Sequence, residues 1–207
     1  MTAFEDRYPP ASNADLARLV AEHPLAWVVA LGSDTPAGTP LPLLARLDGE
    51  GRVVGLGGHY SRANSQVEVL RRDPRVLILF MGPQGYVSPS WMADRTQAPT
   101  WNYASVQFLA EVTFTEEPAE IDGLIGELVL AQEQGRPAAW TPEEMGPRYR
   151  SLSRGVVGFE AAVLAMQARF KLGQDERDDV YPDILEGLAH EGRDDLIAWM
   201  RRSNPTR

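Results

Sequence analysis

Leu16, Leu19 and Val20 recur at helical spacing, so Asn13 to His23 is predicted as a helix, capped by Ser12 or Asn13 and stopped by Pro24. Leu25 to Leu31 has no polar member and predicts a buried strand. Gly32-Ser33-Asp34 and Pro36 to Pro40 then form a turn. Leu41 to Leu47 reads as a second strand, whose Pro42 is easiest at an edge or a bulge. Asp48-Gly49-Glu50-Gly51 is a strong hairpin signal leading into a strand from Arg52 to Leu56. Ser61 to Asp73 is predicted as a helix; Arg71 and Arg72 suit the dipole of its last turn, and Pro74 ends it. Arg75 to Met81 reads as a central, fully buried strand. Gly82-Pro83-Gln84-Gly85 is predicted as a turn, followed by a short strand from Tyr86 to Ser90. Trp101 to Thr115 alternates as a strand.

After Thr115 the pattern changes. Ile121, Leu124, Ile125 and Leu128 place one apolar face on a helix from Pro118 to Gln134. Thr141-Pro142-Glu143-Glu144 starts another helix with proline in its first turn. Gly155 to Lys171 reads as a last long strand, and Asp175 to His190 and Arg193 to Arg202 as two tail helices. Short strands with hairpin turns and interposed helices predict a mainly β fold, a β-barrel plus α. No repeat or low-complexity linker interrupts the chain. It is read as one domain over 1–207, the barrel with inserted helices to 171 and a helical tail over 172–207.

Composition narrows the function classes. The chain has 207 residues, 43% hydrophobic and 24% charged, as an ordinary globular protein does. No apolar run approaches the ~20 residues of a membrane span, and Met1 to Asp6 lacks a signal-peptide pattern. Without cysteine there are no disulfides or thiolate metal sites, and the cytoplasm is the expected compartment. Of the formal charge of −9, most sits between Gln174 and Asp195, where nine carboxylates face Arg177 and Arg193. Such acidity argues against direct nucleic-acid binding. The small clusters Arg71, Arg72, Arg75 and Arg148, Arg150, Arg154 read as solvated faces.

The three histidines, His23, His59 and His190, have no metal-ligand spacing, so no metal site is expected. Nucleophile-elbow, Walker and dinucleotide-loop motifs are missing. The stretch after Gly55-Leu56-Gly57-Gly58 carries more chemistry: His59-Tyr60-Ser61-Arg62-Ala63-Asn64, at a strand exit and helix entry. Free backbone amides and a helix dipole there favour an anion, and Arg62 offers a fork for phosphate. Plain capping by Ser61 explains the same residues equally well. No acid or base for catalysis is assigned; His59 is the one candidate.

Several motifs resemble PaiB-type proteins, the FMN-binding negative transcriptional regulator family. They are Leu41-Pro42-Leu43-Leu44, Gly58-His59, Ala63-Asn64, Gly82-Pro83, Tyr86-Val87-Ser88-Pro89-Ser90-Trp91, Pro99-Thr100-Trp101-Asn102-Tyr103, Gly155-Val156-Val157-Gly158-Phe159 and Phe170-Lys171-Leu172-Gly173-Gln174. The resemblance covers nearly the whole chain. It implies an FMN-binding split β-barrel, pyridoxamine-phosphate-oxidase-like, here with acidic C-terminal helices. It also implies a homodimer with FMN at the subunit seam. The phosphate would then sit at Ser61, Arg62 and Asn64, with His59 and Tyr60 along the approach. Leu43, Trp91, Trp101 and Asn102 would wall the ring. Pro40 stands where the family usually has histidine, and Asn64-Ser65-Gln66-Val67 where it has Asn-Pro-Gln-Trp.

These features imply an FMN-binding protein that regulates transcription indirectly or acts as a flavin-dependent oxidoreductase. The alternatives are a direct DNA-binding repressor, which the acidic tail helices disfavour, and a cofactor-free structural dimer, which Pro40 and Val67 keep open.

Overall fold

The computed structural model describes residues 7–32 and 37–206. Among the described residues seven strands are formed: β1 (Leu25–Ala30), β2 (Gly38–Pro42), β3 (Leu44–Leu47), β4 (Val53–Ser61), β5 (Arg75–Val87), β6 (Thr100–Thr115) and β7 (Val156–Lys171). The helices are α1 (Asn13–Glu22), α2 (Gln66–Arg72), α3 (Pro118–Glu133), α4 (Pro147–Ser153), α5 (Tyr181–His190) and α6 (Asp194–Ser203). The strands form one sheet in the order β2-β1-β5-β6-β7-β4-β3. Its pairs β2–β1, β1–β5, β3–β4 and β4–β7 are antiparallel. Pro42 falls on the edge strand β2, where a missing amide costs little.

Two compact units divide the chain. The first comprises Asn13–Phe80 and Gln107–Met166. Leu19, Val28, Leu56, Ile78 and Phe108 are fully buried in it, each contributing roughly 1.5–3 kcal/mol of burial. Helix α3 packs on β4, with Ile121, Leu124 and Leu128 turned inward. The second unit comprises the described residues of Met1–Ser12, Met81–Val106 and Gln167–Arg207. Helices α5 and α6 bury Ile184, Leu188, Leu196 and Met200 there, and Phe170 meets Trp199 edge to face at 5.6 Å.

Several elements differ from their predicted form. β1 is buried on one side only: Leu25 and Trp27 are exposed, while Ala26, Val28 and Ala30 are buried. β5 alternates too and runs unbroken through Gly82-Pro83-Gln84-Gly85 to Val87, so no turn occurs there. Leu41 to Leu47 splits into β2 and β3. β4 extends to Ser61 because its pairing with β7 continues to Ser61–Val156, and α2 therefore begins at Gln66 instead of Ser61. α5 begins at Tyr181, with Pro182 in its first turn, leaving 175–180 irregular. The segment after Thr141 is a 3-10 turn, Pro142–Met145, followed by α4. The predicted turn at Ser33 to Pro36 lies outside the described residues.

Candidate functional site: a carboxylate held between two arginines

At the end of β4 the chain reverses over Arg62–Ser65 before entering α2. Asn64 shapes this reversal: its Oδ1 accepts from the Gln66 amide at 2.9 Å, and its Nδ2 donates to Thr39 Oγ1 at 3.0 Å. Thr39 Oγ1 donates to Gln66 Oε1 at 2.5 Å. Gln66, buried, donates from Nε2 to the carbonyls of Val28 (3.0 Å) and Ala37 (2.5 Å). A connected polar network thus fixes the turn to β1 and β2.

Most amides expected to point outward are used within the chain. Arg62 N donates to Gly155 O at 2.9 Å, Asn64 N to Ser61 O at 3.0 Å, and Ala63 N to Ser61 Oγ at 3.3 Å. The anion chemistry lies in side chains. Arg62 is steadied by a bond from Nε to Arg154 O at 3.0 Å and donates from Nη1 to Glu116 Oε2 at 2.8 Å. Arg71, its guanidinium 5.4 Å above the Phe114 ring, donates from Nη2 to Glu116 Oε1 at 2.5 Å. One carboxylate is therefore gripped by two guanidiniums, one on each oxygen. Bonds from Arg62 and then Arg71 hold Glu116 below its ordinary carboxylate range.

The remaining candidates divide between the units. Leu43, His59, Tyr60, Ser61, Arg62 and Asn64 lie in the first, and Trp91, Trp101 and Asn102 in the second. Leu43 is buried, its amide donating to Pro24 O at 2.9 Å. His59 and Tyr60 alternate on β4 and so face opposite sides of the sheet. Each has a buried atom without a partner, His59 Nδ1 and Tyr60 Oη. Burial pushes the His59 pKa down and the Tyr60 pKa up, so both are neutral near pH 7. Tyr60 packs against Phe159 at 5.2 Å and Phe114 at 6.2 Å.

In the second unit Trp91 ends a 3-10 turn, Pro89–Trp91, that Ser88 caps by accepting from Ser90 N. Trp101 is exposed, its ring 6.0 Å from Tyr86. Asn102 is closed off from solvent; its Nδ2 donates to Met200 Sδ at 3.6 Å while Oδ1 has no partner.

A cleft of about 690 Å³ in the first unit is lined by Glu116, Glu117, Glu120, Glu127 and Glu160 together with Arg46. Arg46 is taken up by Glu160 (2.7 Å) and Glu127 (2.5 Å), so this lining repels anions. No cluster of three or more potential metal ligands occurs among the described residues. Nor is any helix among them long and apolar enough to cross a membrane.

Sequence reading missed Arg71's part in the site and the buried role of Gln66, and missed Glu116 and Thr39 altogether. Arg71 was visible as a helix-terminal charge and as a member of a basic cluster, neither of which points to Glu116. Glu116 carried no local signal, because it reaches Arg62 across 54 residues of chain.

Sheet order and helix placement define a split β-barrel, and Arg62 after β4 and Arg71 in the last turn of α2 meet on the Glu116 carboxylate. Residues 4–165 match the family described as "Putative FMN-binding domain", and the chain belongs to that family. It is 30% identical over 193 residues to the "Protease synthase and sporulation protein PAI 2" of Bacillus subtilis, covering 89% of this chain and 88% of the relative. The PaiB-type resemblance is thereby established, with FMN as the cofactor the family implies.

Solved structures that share the fold include two flavin- or heme-associated proteins by name. The flavocytochrome Anf3 of Azotobacter vinelandii gives a TM-score of 0.60 at 17% identity, covering 84% of this chain and 73% of that one. An FAD and heme binding protein of Mycobacterium smegmatis gives 0.59 at 17%, covering 86% and 79%.

Proposed function

We propose that this chain is a homodimeric FMN-binding protein that grips the cofactor's phosphate with Arg62 and Arg71. The observation that carries the reading is the two guanidiniums meeting on one carboxylate. A carboxylate and a phosphate present similar paired oxygens, so this donor set fits a phosphate monoester. FMN supplies one- and two-electron transfer when bound. The chain's own part is to bind and orient: Asn64 fixes the loop, Ser61 offers an exposed hydroxyl, and His59 remains an uncharged imidazole. Titration of the apoprotein with FMN, followed by flavin fluorescence, tests this. Saturation at one FMN per chain supports it, and a linear, non-saturating response refutes it.

A second copy is the proposed occupant of the apolar face of β1 and β2. Leu25 and Trp27 are 63% and 55% exposed, and the register sets Pro42 and Pro40 beside them. Leu79 flanks Trp27 on the other side. Monomeric proteins seldom leave such a contiguous apolar surface uncovered, and a stable interface needs roughly 800 Å² per partner.

Control of gene expression, as in the family's role, is proposed to run through redox state or a protein partner in the cytoplasm. The net charge of −9 opposes a direct grip on DNA. Sequence-specific, salt-sensitive retardation of promoter DNA by the purified protein would reverse this part of the reading.

A further inference from the structure

We propose that Glu116 is a built-in competitor: its carboxylate occupies the place of the cofactor's phosphate between Arg62 and Arg71 and must leave for the phosphate to enter. This rests on the phosphate site proposed above and adds its regulation.

Three observations carry it. First, Glu116 uses both carboxylate oxygens, one on each guanidinium, at 2.8 and 2.5 Å. These are the contacts a phosphate oxygen pair would take. Second, the carboxylate is free to leave. Its side chain is 52% exposed, and it lines the 690 Å³ cleft, which gives it room to rotate away. Third, Arg62 is hydrogen-bonded independently of it, and Arg71 has further contacts of its own. Arg62 stays anchored by its Nε bond to Arg154 O and its amide bond to Gly155 O. Arg71 lies over Phe114 and reaches Glu68 Oε1 at 3.8 Å. When Glu116 swings out, both guanidiniums remain near where the carboxylate stood. The exchange is one anion for another, so the pair of cations is compensated both before and after it. Glu117 and Glu120 in the same cleft resist the incoming carboxylate. The closed arrangement is thus favoured until a doubly charged anion competes for it.

The consequence is selective. Neutralising Glu116 removes the competitor for any ligand carrying phosphate and does nothing for the same ring without it. The test is to titrate wild type, Glu116→Gln and Glu116→Ala with FMN and with riboflavin, following flavin fluorescence. Circular dichroism checks that the variants fold. Both substitutions are expected to tighten FMN binding roughly three- to tenfold, the scale of two partly exposed ion pairs, and to leave riboflavin affinity unchanged. Unchanged FMN affinity in both variants, or an equal gain for riboflavin, overturns the competition. Arg62→Ala separates this from the reading beneath it. If that variant loses FMN affinity while Glu116→Gln gains none, only the competition fails. If Arg62→Ala binds FMN as wild type does, the phosphate site itself fails.

Discussion

Gly187 of α5 lies directly against the indole of Trp91: a Cβ at position 187 would stand 2.2 Å from Trp91 Cδ2. Alanine normally favours a helix interior over glycine by about 1 kcal/mol. Here the rigid ring cannot yield without moving the Ser-Pro-Ser-Trp turn. Gly187→Ala is therefore expected to destabilise the protein by about 1–3 kcal/mol, read by urea denaturation followed by circular dichroism. An increase in stability would show that the contact relaxes freely.

Gln66 is the buried joint between the Arg62–Ser65 turn and strands β1 and β2. Gln66→Leu keeps the volume but strips partners from Val28 O, Ala37 O and Thr39 Oγ1. A loss of roughly 1–3 kcal/mol or more is expected, accompanied by weaker FMN binding as the turn loosens. A fully stable variant would mean that other donors, such as the Ala30 amide already on Ala37 O, suffice.

The exposed Trp27 gives the dimer proposal a direct handle. Trp27→Glu places a charge in the centre of the apolar face and is expected to convert a dimer of 207-residue chains to monomer in sedimentation velocity, with secondary structure retained. A wild-type protein sedimenting as a monomer at tens of micromolar concentration would exclude that face as a self-association site.

Acid stability should register the Asp73–Arg75 pair. Side-chain and backbone bonds from Arg75 lower the Asp73 pKa from 3.8 to about 2. A depressed carboxylate contributes stability that is present above its unfolded value and lost as pH falls through the folded one. Between about pH 4 and pH 2 the wild type should therefore lose stability more steeply than Asp73→Asn, measured by thermal melts across that range. Parallel curves would remove Asp73 from the acid response.

Much of this architecture was legible in the chain because periodicity reports which faces are apolar. The helices at Leu16-Leu19-Val20 and Ile121-Leu124-Leu128 needed nothing more. Periodicity does not report what covers an apolar face, which is why Leu25 to Leu31 read as buried although Leu25 and Trp27 face outward. Glycine carries a similar ambiguity. Gly82-Pro83-Gln84-Gly85 has turn composition, yet a Cβ at Gly85 would meet Leu196 Cδ2 at 2.9 Å. In β5 that glycine admits α6 and makes no turn. The arginine pair was half visible, since Arg62 stood in a recognisable motif. Glu116, which completes the arrangement, follows β6 and depends wholly on how the sheet brings it to β4.

Comparing dissociation constants for FMN and riboflavin, in wild type and in Arg62→Ala, decides whether this protein is built around a flavin phosphate. Wild type should prefer FMN by about tenfold or more, the worth of a charged hydrogen-bonded contact, and the variant should lose most of that preference while still binding riboflavin. Equal affinity for the two flavins in wild type, or a preference that survives in Arg62→Ala, contradicts it.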